Sequence, residues 1–248
     1  MTFHIFRQKT TMSKTNTLYL IPTPIGKRRE NLVLPEHTIE VARSLKCFLV
    51  EKPQTSRSFL QWISHPTPDY EITLRVLNKK TPDQEIFSFL QLLKEQDVGL
   101  MSEAGAPGVA DPGAKFVQLA HENNYNVVPL VGPSSILMAL MASGMNGQKF
   151  AFHGYLSLNN HERVKQLSSL EQESIQHDQT QIFMEPPHRN DTLFSLLLEK
   201  LRPSTRLCVA CNITQPDEFI QTRTVHHWRS AGKPDLQKKP ALFLIYGK

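Results

Sequence analysis

Through the first half of the chain, short apolar clusters alternate with polar stretches that carry helical spacing. "TLYLI" (17–21), "CFLV" (47–50), "DVGLM" (97–101) and "YNVVPLV" (125–131) are brief apolar or β-branched runs, and each predicts a strand. Between them, "EHTIEVARSL" (36–45) places Ile39, Val41, Ala42 and Leu45 on a loose apolar face. "PDQEIFSFLQLLKEQ" (82–96) predicts one helix with Pro82 at its start. "PGAKFVQLAHENN" (112–124) predicts another, with Asp111 as N-cap and Pro112 as the first helical residue. Alternating strand and helix predict a parallel sheet covered by helices.

The pattern changes after "GPSSILMALMASGM" (132–145). "KFAFHGYLS", "TQIFME", "TRLCVACNIT", "EFIQTRTV" and "PALFLIYG" read as strands. A polar helix, "NHERVKQLSSLEQESIQHDQ", and the helices "NDTLFSLLLEKL" and "VHHWRSAG" separate only some of them. Strands that follow one another without a helix pair antiparallel, so this half predicts a mixed sheet. The fold class is therefore α/β, with an N-terminal α/β domain at 17–132 and a C-terminal one at 133–248. Residues 1–16, polar and basic with no apolar core, read as a disordered tail.

Composition narrows the class. Hydrophobic content of 40% and charged content of 21% fit a soluble globular protein, and no apolar run is long enough to span a membrane. The three cysteines make no disulfide framework, and a reducing cytoplasm is expected. Cys208 and Cys211 form a C-x-x-C, but on a strand they point to opposite faces and cannot grip one metal. No metal is expected, and no membrane partner. The net charge of +5 leans toward a polyanion. The basic clusters "GKRREN", "LNKK" and "LQKKP", taken singly, read as solvated surface.

Ligands of open parallel sheets sit beyond the carboxyl ends of the strands. Three loops there are rich in Gly, Pro, Ser and Ala: "PTPIG" (22–26), "SEAGAPGVADPG" (102–113) and "VGPSS" (131–135). In the second, side chains are nearly absent over Gly105, Ala106, Pro107 and Gly108, so backbone is the expected contact surface. There is no G-x-x-x-x-G-K-[ST], no G-x-G-x-x-G after the first strand, no H-E-x-x-H and no G-x-S-x-G.

"LYLIPTPIG", "SEAGAPGVADPG", "VVPLVGPSS", "FHGYL" and "FMEPPHR", in this order, resemble the tetrapyrrole methylase superfamily of S-adenosylmethionine-dependent methyltransferases. Within it, the chain looks most like the ribosomal small-subunit RNA cytidine 2′-O-methyltransferases. The resemblance implies two α/β domains with S-adenosylmethionine in a cleft between them, and a homodimer. It implies cofactor contacts from Pro24, Ser102, Gly105, Ala106, Pro107, Val109, Ser134 and Ser135, with Met184, Ala210 and Ala241 flanking the adenine. A ribose hydroxyl is a poor nucleophile and benefits from a nearby base. The candidate catalytic groups are Glu51, Glu103, His188 and Arg189, with the plainer readings that Arg189 pairs with Glu185 and His188 caps a helix.

The expected acceptor is an RNA ribose 2′-hydroxyl, and ribosomal RNA or the small ribosomal subunit the expected partner. Lys27, Arg28, Arg29 and Arg57 would then supply phosphate contacts. The RNA branch carries an acid–acid–Thr–Arg cluster after the second strand, where this chain has "EKPQTSR". Its Ala–Arg–Glu run becomes Ala210–Cys211–Asn212, followed by Thr214–Gln215, and its Gly–Glu before the last strand becomes Lys239–Pro240. A tetrapyrrole or other small-molecule acceptor, and a non-catalytic cofactor-binding paralogue, are the alternatives these departures leave open.

Overall fold

The computed structural model describes residues 15–26 and 33–248. The N-terminal tail up to residue 14 and the cations Lys27, Arg28 and Arg29 lie outside the described residues. The described chain forms two compact units by contact: residues 15–23 with 34–132, and residues 24–26 and 33 with 133–248.

The first unit holds β1 (Thr17–Ile21), β2 (Cys47–Val50), β3 (Thr73–Val76), β4 (Val98–Met101) and β5 (Asn126–Pro129) in the order β3-β2-β4-β1-β5, every pair parallel. Strands β2 and β4 are buried along their whole length, as expected of central parallel strands covered on both faces. One face packs Leu18, Leu49, Val98 and Leu100 against α3 (Asp83–Ser88), α4 (Leu90–Glu95) and α5 (Ala114–Glu122). The helices α1 (Glu36–Ser44) and α2 (Pro53–Trp62) bury Ile39, Ala42, Phe59 and Leu60. A Cβ at Gly99 would lie 2.6 Å from the Phe48 ring and 2.7 Å from Ile21, so only glycine fits at the sheet's centre.

Two expectations are corrected here. The helix predicted over 82–96 is two, broken at Phe89, where Leu92 N–H bonds the Phe89 carbonyl and tightens the turn. Phe89 uses the break to pack edge-on against Phe116. The helix predicted from Pro112 starts at Ala114, with Gly113 as N-cap and no side-chain cap. Gly113 has φ +130°, and a Cβ there would lie 2.7 Å from Leu100, so the chain is pressed onto β4 and turns only afterwards into helix. Asp111 is therefore not a cap. Helix α2 and the half-exposed edge strand β3 have patterns too weak to predict: α2 buries only Ser56, Phe59 and Leu60.

The second unit holds β6 (Phe150–Tyr155), β7 (Thr180–Met184), β8 (Arg206–Cys211), β9 (Phe219–Thr224) and β10 (Ala241–Tyr246) in the order β6-β7-β10-β8-β9. Only β6–β7 is parallel, so the sheet is mixed as expected. Helices α7 (Asn160–His177), α8 (Asn190–Lys200) and α9 (Val225–Ala231) build the core on one face, and α6 (Ser135–Ser143) covers the other. The polar helix α7 starts at Asn159, whose side chain accepts from His161 and Glu162 N–H at 2.9 and 3.2 Å. Cys208 packs on the α6 face and Cys211 on the opposite face. No described helix is long and apolar enough to cross a membrane.

Candidate active site

In the first unit, β2 and β4 are neighbours whose onward connections diverge: β2 leads to β3 on one side, β4 to β5 on the other. Such a switch point opens a crevice beyond the carboxyl ends of the two strands. The loop after β4 is tied to the loop after β1. Thr23 N–H bonds the Gly105 carbonyl at 3.0 Å, and Gly105 N–H returns a bond to the Thr23 carbonyl at 2.9 Å. The Ser102 hydroxyl donates to the same Gly105 carbonyl at 2.5 Å. The loop after β5 joins the group, because a Cβ on Gly132 would lie 2.4 Å from Pro22. Thr38 of α1 holds the neighbouring Val131 carbonyl at 2.8 Å.

This bonding divides the predicted cofactor residues of the first unit by role. Ser102 and Gly105 are buried, and their polar groups are used within the loop framework. Pro107 is buried beneath the segment. Ala106 and Gly108 are half-buried, and Val109 is 49% exposed, so they present the accessible surface. A Cβ on Gly108 would meet nothing nearer than Ala114 N at 4.0 Å, so the segment leaves room for a ligand. Its glycines also have a conformational cause: Gly105 and Gly108 both stand at φ +77°, which L side chains rarely adopt.

The acids at this end of the sheet separate in the same way. Glu103 accepts from Lys52 Nζ at 2.9 Å through one oxygen and from Thr55 Oγ1 through the other. It stands at the start of α2, whose N-cap is Lys52, where the helix dipole favours a negative charge. Glu103 is thus an anchor between the loop after β4 and α2, with both oxygens occupied. Glu51 is half-buried immediately after β2. Asp111 is the residue that sequence reasoning missed as chemistry. Burial, then the nearby Glu51 charge, pushes its carboxyl up to about 6; Lys79 opposes this and Glu103 adds to it. A carboxyl group ionising so close to neutrality suits proton transfer. Its position after a positive-φ Ala110 gave no signal in the sequence.

In the second unit, Pro24 precedes Ile25, whose carbonyl accepts from Thr214 Oγ1 at 2.7 Å and from Gln215 Nε2 at 3.0 Å. Ser134 holds the N-cap position of α6 without a side-chain capping bond, and Ser135 opens the helix. On the α6 face, Met184, Leu242 and Ala210 form one cross-strand row, Leu242 pairing with each of the others. Leu242 was not predicted. Ala241 was, but its side chain packs in the cluster on the opposite face, because neighbouring residues of a strand alternate. His188 is exposed on the short 3-10 turn Pro187–Arg189. Arg189 takes its plainer reading, with Nη2 2.7 Å from Oε2 of the buried Glu185. The changed positions have found their own partners: Lys239 pairs with Asp217 and Asp235 at 3.0 Å each, and Asn212 donates to Asp217 at 2.9 Å.

A bare-backbone loop at the switch point of a parallel sheet, beside a carboxyl group ionising near neutrality, is the equipment of an α/β enzyme. The family model of the tetrapyrrole (corrin/porphyrin) methylases matches residues 17–227, and the chain belongs to that family. It is a methyltransferase. A ribosomal RNA small subunit methyltransferase I from Synechocystis sp. is 32% identical over 201 residues, 81% of this chain and 68% of the relative. One of the same name from Bacillus subtilis is 30% identical over 210 residues, 84% of this chain and 68% of the relative. Among solved structures, the methyltransferase CobJ superposes with a TM-score of 0.60 at 16% identity, covering 94% of both chains. Uroporphyrin-III-C-methyltransferase from Thermus thermophilus gives 0.54 at 17% identity, covering 93% of this chain and 94% of its own. At these identities the structural likeness is one of fold.

Proposed function

We propose that the protein transfers a methyl group from S-adenosylmethionine to a ribose 2′-hydroxyl of small-subunit ribosomal RNA. The observation that carries this reading is the match to two relatives named ribosomal RNA small subunit methyltransferase I, over 81% and 84% of the chain. The cofactor brings a methyl group already activated on a sulfonium, so the protein's task is mainly alignment. Ala106, Gly108 and Val109 would meet its methionine and ribose through backbone. Glu51 and Asp111 are the carboxylates left to receive the hydroxyl proton, since Glu103 is bonded through both oxygens. Two copies are proposed to associate, a reading supported by Leu137 and Met141, which α6 leaves 51% and 82% exposed.

The test is methyl transfer from labelled S-adenosylmethionine to small-subunit RNA, assembled subunits and tetrapyrroles, followed by mass spectrometry of the digested nucleosides. A 2′-O-methylated nucleoside is expected. Label in the tetrapyrrole alone, or in none of the acceptors, would overturn the reading.

A further inference from the structure

The cations expected to hold an RNA do not include a free partner at Arg57, which is ion-paired with Asp69. Lys46, Lys52 and Lys115 are likewise matched, with Glu71, Glu103 and Asp83. Arg75, Lys79, Lys80 and Lys94 differ, and of these only Lys79 and Lys80 follow the carboxyl end of a strand. Both are exposed, and neither joins an ion pair among the described residues.

Their position is fixed by the sheet. Strand β3 runs parallel to β2 with Val76 opposite Val50, and Leu77 N–H continues the ladder to the Val50 carbonyl at 2.8 Å. The turn that follows therefore leaves the sheet at the same end as Glu51. It is also held in shape. Thr81 Oγ1 accepts from Asn78 N–H at 2.9 Å, and Asn78 Oδ1 accepts from Lys80 N–H at 2.8 Å. Leu77, 3% exposed, anchors it to the core. The charge of Lys79 reaches the Asp111 carboxyl.

We infer that Lys79 and Lys80 are the phosphate-contacting shoulder of the acceptor site, flanking Glu51 and Asp111. This rests on the RNA reading above. A ribose 2′-hydroxyl stands next to a phosphate of its own strand, so any RNA that presents the hydroxyl to these carboxylates brings negative charge toward negative charge. Like-charge juxtaposition is costly, and two unneutralised ammonium groups on a rigid turn beside the acids offset it. Such contacts position an RNA without reading its bases.

The test is RNA binding and methyl transfer by the double variant Lys79→Glu/Lys80→Glu, measured against salt, with Lys94→Glu/Lys165→Glu as a control of equal charge change at two exposed lysines elsewhere. Affinity for small-subunit RNA should fall roughly tenfold or more, and the slope of log affinity against log salt should flatten by about 2. Affinity for S-adenosylmethionine should be unchanged. Wild-type affinity and slope in the double variant, or an equal loss in the control, would overturn the inference while leaving the RNA reading in place. Wild-type protein that binds no RNA at all would remove both.

Discussion

The two units would offer a ligand opposite kinds of surface. In the first, the central strands β2 and β4 of an all-parallel sheet are buried along their whole length, and the candidate site is made of loops. Those loops are stripped of side chains, locked by the Thr23–Gly105 bridge, and presented as backbone. In the second, the expected contacts are strand side chains of a mixed sheet, of which Ala210 is 1% exposed and Met184 half-buried. Specificity in a loop of backbone comes from shape, which a single added side chain destroys. Specificity on a sheet face comes from apolar area, which a single deletion only reduces.

The largest expected effect follows from that contrast. Ala106→Phe should lower cofactor affinity by about 100-fold or more, because a ring would fill the space that the bare segment leaves. Calorimetric titration measures the loss, and thermal melting should move by only a few degrees, as the position is half-buried rather than core. Normal binding would show that the segment is not the contact surface.

Next in size is Asp111→Asn, which should slow methyl transfer by about 100-fold while cofactor affinity holds. Its stability effect has the opposite sign. The carboxyl is raised to about 6 in the folded protein from its usual value of 3.8. Between those values the native state keeps a proton that the unfolded chain releases, so stability falls as pH rises through the window. The variant should melt higher than the parent above pH 6 and match it at pH 4. A parent whose transfer rate fails to rise through about pH 6 would argue against the proton-accepting role.

On the sheet side, Met184→Ala should weaken cofactor binding only about tenfold, the value of part of one apolar side chain. It should cost about 1–2 kcal/mol of stability, because Met184 is half-buried and also packs with the α6 cluster. A loss as large as that of Ala106→Phe would erase the contrast between the units.

The smallest effect is expected at Glu103→Gln. Lys52, its ionic partner, is 67% exposed, so the ion pair should contribute about 1 kcal/mol or less. Methyl transfer should change by no more than about threefold if Glu103 is the anchor its bonding describes. A loss near that of Asp111→Asn would return Glu103 to the reacting groups.

The chain's own pattern was enough to predict the strands of both sheets except β3, the parallel and mixed pairing, and the bare segment after β4. Period and composition are local, and a strand buried on both faces, such as "CFLV" or "DVGLM", announces itself through its own residues. What only the tertiary structure decided was which polar groups are already in use. Thr23 meets Ser102 across 79 residues, and Thr55 meets Glu103 across 48. Such bonds leave no mark on spacing, so Ser102, Gly105 and Glu103 read as contact or catalytic residues in the sequence and stand as framework in the fold. Asp111 was misread in the other direction. An Asp–Pro pair before a helical stretch has the form of a cap, but the pressure of Gly113 on Leu100 delays the helix, and the carboxyl left behind is instead half-buried beside Glu51. A hydrogen-bond partner or a buried charge is a property of position in space, and the sequence records position only along the chain.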